Sequence, residues 1–203
     1  MTEADLIRLL SERFHGNFAD ETARRVRDAG AVDLLYEVAT APHPELPGPV
    51  RQKVLFRGAY VLERIYFDAP EAFMPRAESF CRVDFAAHRV EPIIREVCKP
   101  AQNDQQFCFH ILNEGRDILW WSERTGYGHY YLYDGNGRLQ GAVTSGAYVA
   151  GKIERIDTLA RTIVYEGYGR EPGVNPHYRF YYKTGFNGGE PVLLTPGNGE
   201  HSV

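Results

Sequence analysis

Cysteine is scarce: Cys81, Cys98 and Cys108 are the only three among 203 residues. An odd count without C-x-x-C spacing fits reduced thiols and argues against a disulfide or zinc framework. Cys98, Cys108 and His110 lack a fourth ligand at metal-binding spacing, so no metal is expected. Long apolar runs are missing too. Nothing approaches the roughly 18 residues that span a bilayer, and the opening MTEADLIRLL is acidic where a signal peptide is basic. The expected compartment is the cytoplasm, without membrane attachment. An excess of one charge is also lacking: the formal net charge is -4. Dividing the chain near residue 100 leaves about 14 basic against 16 acidic residues before it and about 9 against 11 after it. A nearly balanced chain has little to neutralise phosphates, so no nucleic-acid partner is expected. Arg24, Arg25 and Arg27 form the densest basic cluster and read as a solvated helix face, with Glu21 pairing Arg25.

Catalytic patterns are absent as well. There is no Gly-rich phosphate loop, nucleophile elbow, HExxH or acid/base pair at diagnostic spacing. Gly126-Tyr127-Gly128 and Gly167-Tyr168-Gly169 supply turns rather than an anion-binding helix start. The seven histidines are scattered singly, although folding can bring His110 to Glu114 or His129 to Asp134. No catalytic residue and no cofactor are assigned, and the balance leans away from an enzyme.

What the chain does have is hydrophobic pattern, at 43% hydrophobic and 25% charged residues. Pro49 to Phe67 reads as a helix of about 18 residues. Val54, Gly58, Val61 and Ile65 form one stripe and Leu55, Ala59, Leu62 and Tyr66 the next. So wide an apolar arc implies neighbours on two sides. Thr2 and Asp5 mark the cap of a first helix carrying Leu6, Leu9, Leu10 and Phe14. Two further helices are read over 18–26 and 32–39, a Pro-rich loop over 41–49, and helices over 71–81 and 86–97. The segment FRGAYVLERIYFDAPEAFMPRAESF has a small pair mid-helix (Gly58-Ala59), an Asp-x-Pro turn (Asp68, Pro70) and a proline in the following helix (Pro75). It resembles a HEAT-type repeat boundary, and the likeness covers residues 35–97. The resemblance implies a short array of antiparallel helices.

Pro100 to Asp104 is a polar break. Residues 106–113 fit a helix capped by Asn103 and also a strand, with the balance toward helix. After Gly115 the chain turns into short aromatic and β-branched runs separated by glycine-bearing turns, an antiparallel meander of six or seven strands. YLYDGNGRL, residues 131–139, is similar to one YD-repeat hairpin of large bacterial toxin shells. As a single copy it is read as shared hairpin chemistry rather than membership.

The fold class implied is α+β: a HEAT-like helical region over 1–100 and an antiparallel β-sheet region over 101–203, either separate or fused into one globular unit. Trp120-Trp121, Tyr130-Tyr131 and Tyr181-Tyr182 put aromatics on both faces of the sheet. One face is core; the other is covered by helices or left as a binding surface. The candidate binding residues are Trp121, Tyr127, Tyr131, Tyr133, Tyr168 and Tyr182. The expected function is a non-enzymatic interaction module, adaptor or immunity-like, with a protein partner. The alternative is a small-molecule or carbohydrate binder, conceivably a hydrolase, with an aromatic-lined pocket. If the sheet face binds, replacing Trp121 and Tyr131 with Ser leaves the thermal transition nearly unchanged; if the face is core, the transition is lost.

Overall fold

The computed structural model describes residues 2–14, 33–39, 50–57, 59–67, 77–84, 86–97 and 108–202. The helix read over 18–26, the loop over 41–49 and the polar break at 100–104 lie outside the described residues. The chain divides into two compact units, Met1–Asp104 and Gln105–Val203.

The first unit opens with α1 (Glu3–Phe14). Its start is a reciprocal cap: the Asp5 N–H donates to Thr2 Oγ1 at 3.1 Å while the Thr2 N–H donates to Asp5 Oδ2 at 2.9 Å. Leu6 and Leu10 bury its inner stripe. The other described elements of this unit form a single antiparallel sheet in sequence order. Its strands are β1 (Asp33–Ala39), β2 (Val50–Arg57), β3 (Tyr60–Phe67), β4 (Ala77–Asp84) and β5 (Arg89–Val97).

This overturns the HEAT-like reading and the α+β class, since α1 is the one α-helix among the described residues. Within the stretch read as a helix, β2 and β3 pair antiparallel in register, from Val50 opposite Phe67 to Arg57 opposite Tyr60. The physical reason lies in burial on both faces. Val61, Leu62, Glu63 and Ile65 are all buried although successive strand residues point to opposite sides. A strand covered on both sides loses its two-residue alternation, and its broad apolar arc imitates a buried helix. The β-branched and aromatic density of the stretch is the better guide. On the same sheet the fully buried Glu78 carboxylate meets the Arg64 guanidinium at 3.1 Å.

The second unit contains two successive four-stranded antiparallel meanders. The first comprises β6 (Phe109–Leu112), β7 (Asp117–Ser122), β8 (His129–Asp134) and β9 (Leu139–Ala142). The second comprises β10 (Val149–Asp157), β11 (Thr162–Tyr168), β12 (Arg179–Gly185) and β13 (Gly188–Leu193). Phe109–Leu112 is strand, so the lean toward helix there is also corrected. Four-stranded meanders that succeed one another along a chain have the form of propeller blades, and we call them blades.

The two blades repeat each other in detail. In the first, the Tyr130 N–H donates to Thr144 Oγ1 at 3.0 Å and the Val143 N–H to the Tyr130 carbonyl at 2.8 Å. In the second, the Tyr181 N–H donates to Thr195 Oγ1 at 3.0 Å and the Leu194 N–H to the Tyr181 carbonyl at 2.8 Å. Each threonine stands 14 residues after its tyrosine. One hydroxyl thus takes the third strand's N–H just where the fourth strand leaves the sheet, a position at which the ladder would strand a buried donor.

Aromatic side chains couple the first blade to the second through their polar tips. The Trp121 indole N–H donates to the Ala150 carbonyl at 2.7 Å, and Tyr130 Oη donates to the Gly151 carbonyl at 2.8 Å. Gly128 permits this packing, because a Cβ there would stand 2.0 Å from the Trp121 ring. At the opposite end of the strands, Arg161 Nη1 pairs with Asp117 Oδ2 at 3.2 Å. The YDGNGRL turn is a hairpin held by one carboxylate: Asp134 Oδ1 accepts the N–H groups of Asn136 and Arg138, each at 2.9 Å.

Both aromatic faces of the first blade are therefore core, with Trp120 and Trp121 fully buried. Trp121→Ser is expected to cost the second unit about 3–5 kcal/mol in urea unfolding, the range for emptying a large aromatic site. An intact transition in that variant would contradict the packing described.

Candidate functional site

Strand direction gathers one set of loops. Gly128 opens β8 beside Ala150 of β10, whose N–H reaches the Gly128 carbonyl at 2.8 Å, and Val149 stands opposite Tyr168 at the end of β11. The loops 123–128 and 169–178 consequently lie at the same end of the blade pair, with the crossover 143–148 between them.

Each loop lays an arginine over the same tyrosine of its blade. The sequence offset that carries Tyr130 to Tyr181 and Thr144 to Thr195 carries Tyr131 to Tyr182. The guanidinium carbon of Arg124 sits 4.2 Å from the Tyr131 ring centroid and 5.8 Å from that of Tyr133. Arg124 Nη1 also donates to Tyr133 Oη at 2.8 Å, and Nε to Ser122 Oγ at 2.9 Å. In the second blade Arg170 lies 5.2 Å from the Tyr148 centroid and 5.7 Å from that of Tyr182, and it pairs with Glu190. Around it, Tyr182 Oη donates to Glu171 Oε1 at 2.8 Å and the hydroxyls of Tyr148 and Tyr165 meet at 2.7 Å. Burial raises the ionisation of Tyr148, Tyr165 and Tyr182 above the usual phenol range, so all three remain neutral donors.

A second charged group lies on the polar side of the second blade. The largely buried Glu166 carboxylate accepts from Arg179 Nη1 at 3.1 Å and from Tyr168 Oη at 2.9 Å. Arg179 also holds the end of the described chain, pairing with Glu200 at 2.9 Å and donating from Nε to the His201 carbonyl at 3.1 Å. Burial, then the bond to Glu166, pushes the Tyr168 phenol up to about 12.

The six aromatic candidates are placed unequally. Trp121, Tyr131, Tyr133 and Tyr182 are buried, Tyr168 is half-buried against Glu166, and Tyr127 is 42% exposed. Tyr131 and Tyr133 come together under Arg124, Tyr182 belongs to the Arg170 group, and Trp121 faces the neighbouring blade. Sequence reasoning missed Arg124, Arg170, Glu166 and Arg179. Cations beyond a strand end look solvated in sequence, and only pairing register reveals a ring beneath them.

A hydroxyl and an imidazole meet at Thr144 and His129, 3.0 Å apart, but both are buried and Thr144 Oγ1 already takes a backbone N–H. Among the described residues no three metal-ligating side chains converge. His129 does not hydrogen-bond Asp134, whose carboxylate is committed to its own hairpin. A cleft of about 130 Å³ is lined by Arg155, Asp157, Thr162, Val164 and Lys183. It is smaller than the roughly 300 Å³ at which organic ligands begin to fit, and no aromatic lines it. Arg179→Ala would leave the Glu166 carboxylate without its cation. The midpoint of chemical denaturation is expected to fall; an unchanged midpoint would show that Glu166 does not depend on that cation.

The model of the family described as "Dipeptidyl peptidase IV (DPP IV) N-terminal region" matches residues 66–203, more than half of the chain. A similar solved structure is the crystal structure of Porphyromonas gingivalis dipeptidyl peptidase 4, at 15% sequence identity and a TM-score of 0.48. The match covers 82% of this chain and 28% of that one, so the present chain spans under a third of that protein's length. The family match overturns the adaptor or immunity-like reading, as it does the HEAT resemblance. The hydrolase side of the alternative fits it better. No helix among the described residues is long and apolar enough to cross a membrane.

Proposed function

The chain belongs to the family of dipeptidyl peptidase IV N-terminal regions, and from that membership we propose that it is the blade-built part of a peptidase, which receives peptide substrate rather than cleaving it. The observation that carries this reading is the family match itself, which spans both blades of the second unit. The loop end of the blades supplies suitable chemistry. Tyr127 offers an exposed ring with a hydroxyl, and Arg124, whose guanidinium carbon sits over the Tyr131 ring, is an exposed cation of the kind that attracts peptide carbonyls and carboxylates. Gly126, at φ +90°, turns the loop between them. Tyr131, Tyr133 and Tyr182 serve in this reading by holding the arginines in place. Trp121 holds the seam, and Tyr127 and Tyr168 are the members that reach solvent. The cytoplasmic placement belongs to the proposal too and is supported by the sparse cysteine content of the sequence, three residues without C-x-x-C spacing.

The test is a titration of the protein with unlabelled tetra- to octapeptides, monitored through amide shifts. Shifts confined to 123–128 and 169–178 are expected. Arg124→Ala and Tyr127→Ala should each weaken binding about tenfold. Absence of shifts in both loops at millimolar peptide, or equal affinity in both variants and the unsubstituted protein, would overturn the proposal.

A further inference from the structure

The two blades differ at one buried position that the proposed function does not use. The sequence offset relating the threonine clasps carries His129 to Phe180. Both are buried, at 1% and 2% exposure, and each immediately precedes the tyrosine whose N–H its clasp holds. Phe180 cannot titrate, and the His201 ring that meets it at 5.0 Å makes no hydrogen bond to Tyr181, Leu194 or Thr195 of that clasp, whereas His129 is wired into its own. Its Nδ1 lies 3.0 Å from Thr144 Oγ1 and its Nε2 lies 2.9 Å from the Gly146 carbonyl.

These contacts fix the tautomer. A carbonyl only accepts, so Nε2 carries the hydrogen, which leaves Nδ1 to accept the Thr144 hydroxyl. Thr144 Oγ1 in turn accepts the Tyr130 N–H. The result is a directed chain from the Tyr130 N–H through the Thr144 hydroxyl and the imidazole to the Gly146 carbonyl, satisfied only while the imidazole is neutral. A proton on Nδ1 would face the Thr144 oxygen with a second donor and force the hydroxyl hydrogen away from the ring, inside a buried site.

The surrounding groups offer the imidazolium little. Neither hydrogen bond of the ring goes to a carboxylate. On β7, Ser122 stands opposite His129 in register and bonds Arg124. On the crossover, Tyr148 meets the ring edge-on at 5.1 Å and hydrogen-bonds Tyr165 of β11, and Arg170 lies over Tyr148. The charged groups reached through these contacts are the cations Arg124 and Arg170, the second of them paired with Glu190.

We propose that His129 makes closure of the first blade acid-sensitive: protonation of the imidazole opens the Tyr130–Thr144–Gly146 clasp, while the second blade, with Phe180 at the same place, stays closed. Burial lowers the basicity of His129 from its ordinary 6.5, which agrees with a ring held neutral. The open form takes up its proton at the ordinary value and the closed form only below it, so closure is complete above that pH and is lost as pH falls.

The second blade provides an internal control for native-state hydrogen exchange of the whole chain between pH 7.5 and 5, corrected for intrinsic rates. The amides of Tyr130 and Val143 should lose protection on acidification, by up to about tenfold per pH unit, the limit for one proton. Those of Tyr181 and Leu194 should not. His129→Phe, which copies the second blade's own residue, should abolish the difference. Equal pH response at the two pairs of amides overturns the proposal, as does persistence of the loss in His129→Phe. Should that variant fail to fold, the comparison of the two pairs in the unsubstituted protein decides alone.

Discussion

A buried backbone N–H has to find a partner, and in the second unit the third strand of each blade extends past the ladder that would supply one. A threonine hydroxyl meets that requirement twice, through Thr144 for Tyr130 and Thr195 for Tyr181, at the same distance and sequence spacing. Because the clasp fixes where the fourth strand leaves, it also fixes where the crossover begins. The start of β10, against which Trp121 and Tyr130 place their polar tips, depends on that position.

From the clasp the aromatic content of the blades becomes intelligible. Large rings on both faces of a sheet are tolerated only if both faces are covered and each polar tip has an acceptor. Trp121 and Tyr130 use carbonyls of the next blade, while Tyr148, Tyr165 and Tyr182 use one another and Glu171. The arginines over Tyr131 and Tyr182 complete the cover at the loop end, where each cation packs on its ring. Blades that carry Arg- and Tyr-bearing loops at one end suit the proposed role in peptide binding.

Much of the second unit is legible in the chain itself. Short aromatic runs between glycine-bearing turns mark antiparallel strands, with β8 at His129–Asp134 and the hairpin after it both located, but the single meander of six or seven strands is in fact two four-stranded sheets. The cap at Thr2 and Asp5 is legible because it is local. The first unit is misread because burial on both faces removes the alternation that betrays a strand, and Leu62 beside Glu63 is its plainest case. One signal is present and easily missed: Val143-Thr144-Ser145-Gly146 and Leu194-Thr195-Pro196-Gly197 are the same phrase one blade apart. The arginines at the loop end have no such signature, since a cation and the ring beneath it are neighbours only after strands pair.

The clasp is tested most directly by removing the two hydroxyls one at a time. Thr144→Val and Thr195→Val keep the side-chain shape and leave a buried N–H without its acceptor. Each variant should therefore lose about 1–3 kcal/mol in urea unfolding at pH 7.5, with Thr144→Val losing at least as much, because His129 shares that hydroxyl. A change within about 0.5 kcal/mol of the unsubstituted protein in either variant would contradict the repeated clasp and the two-blade account built on it.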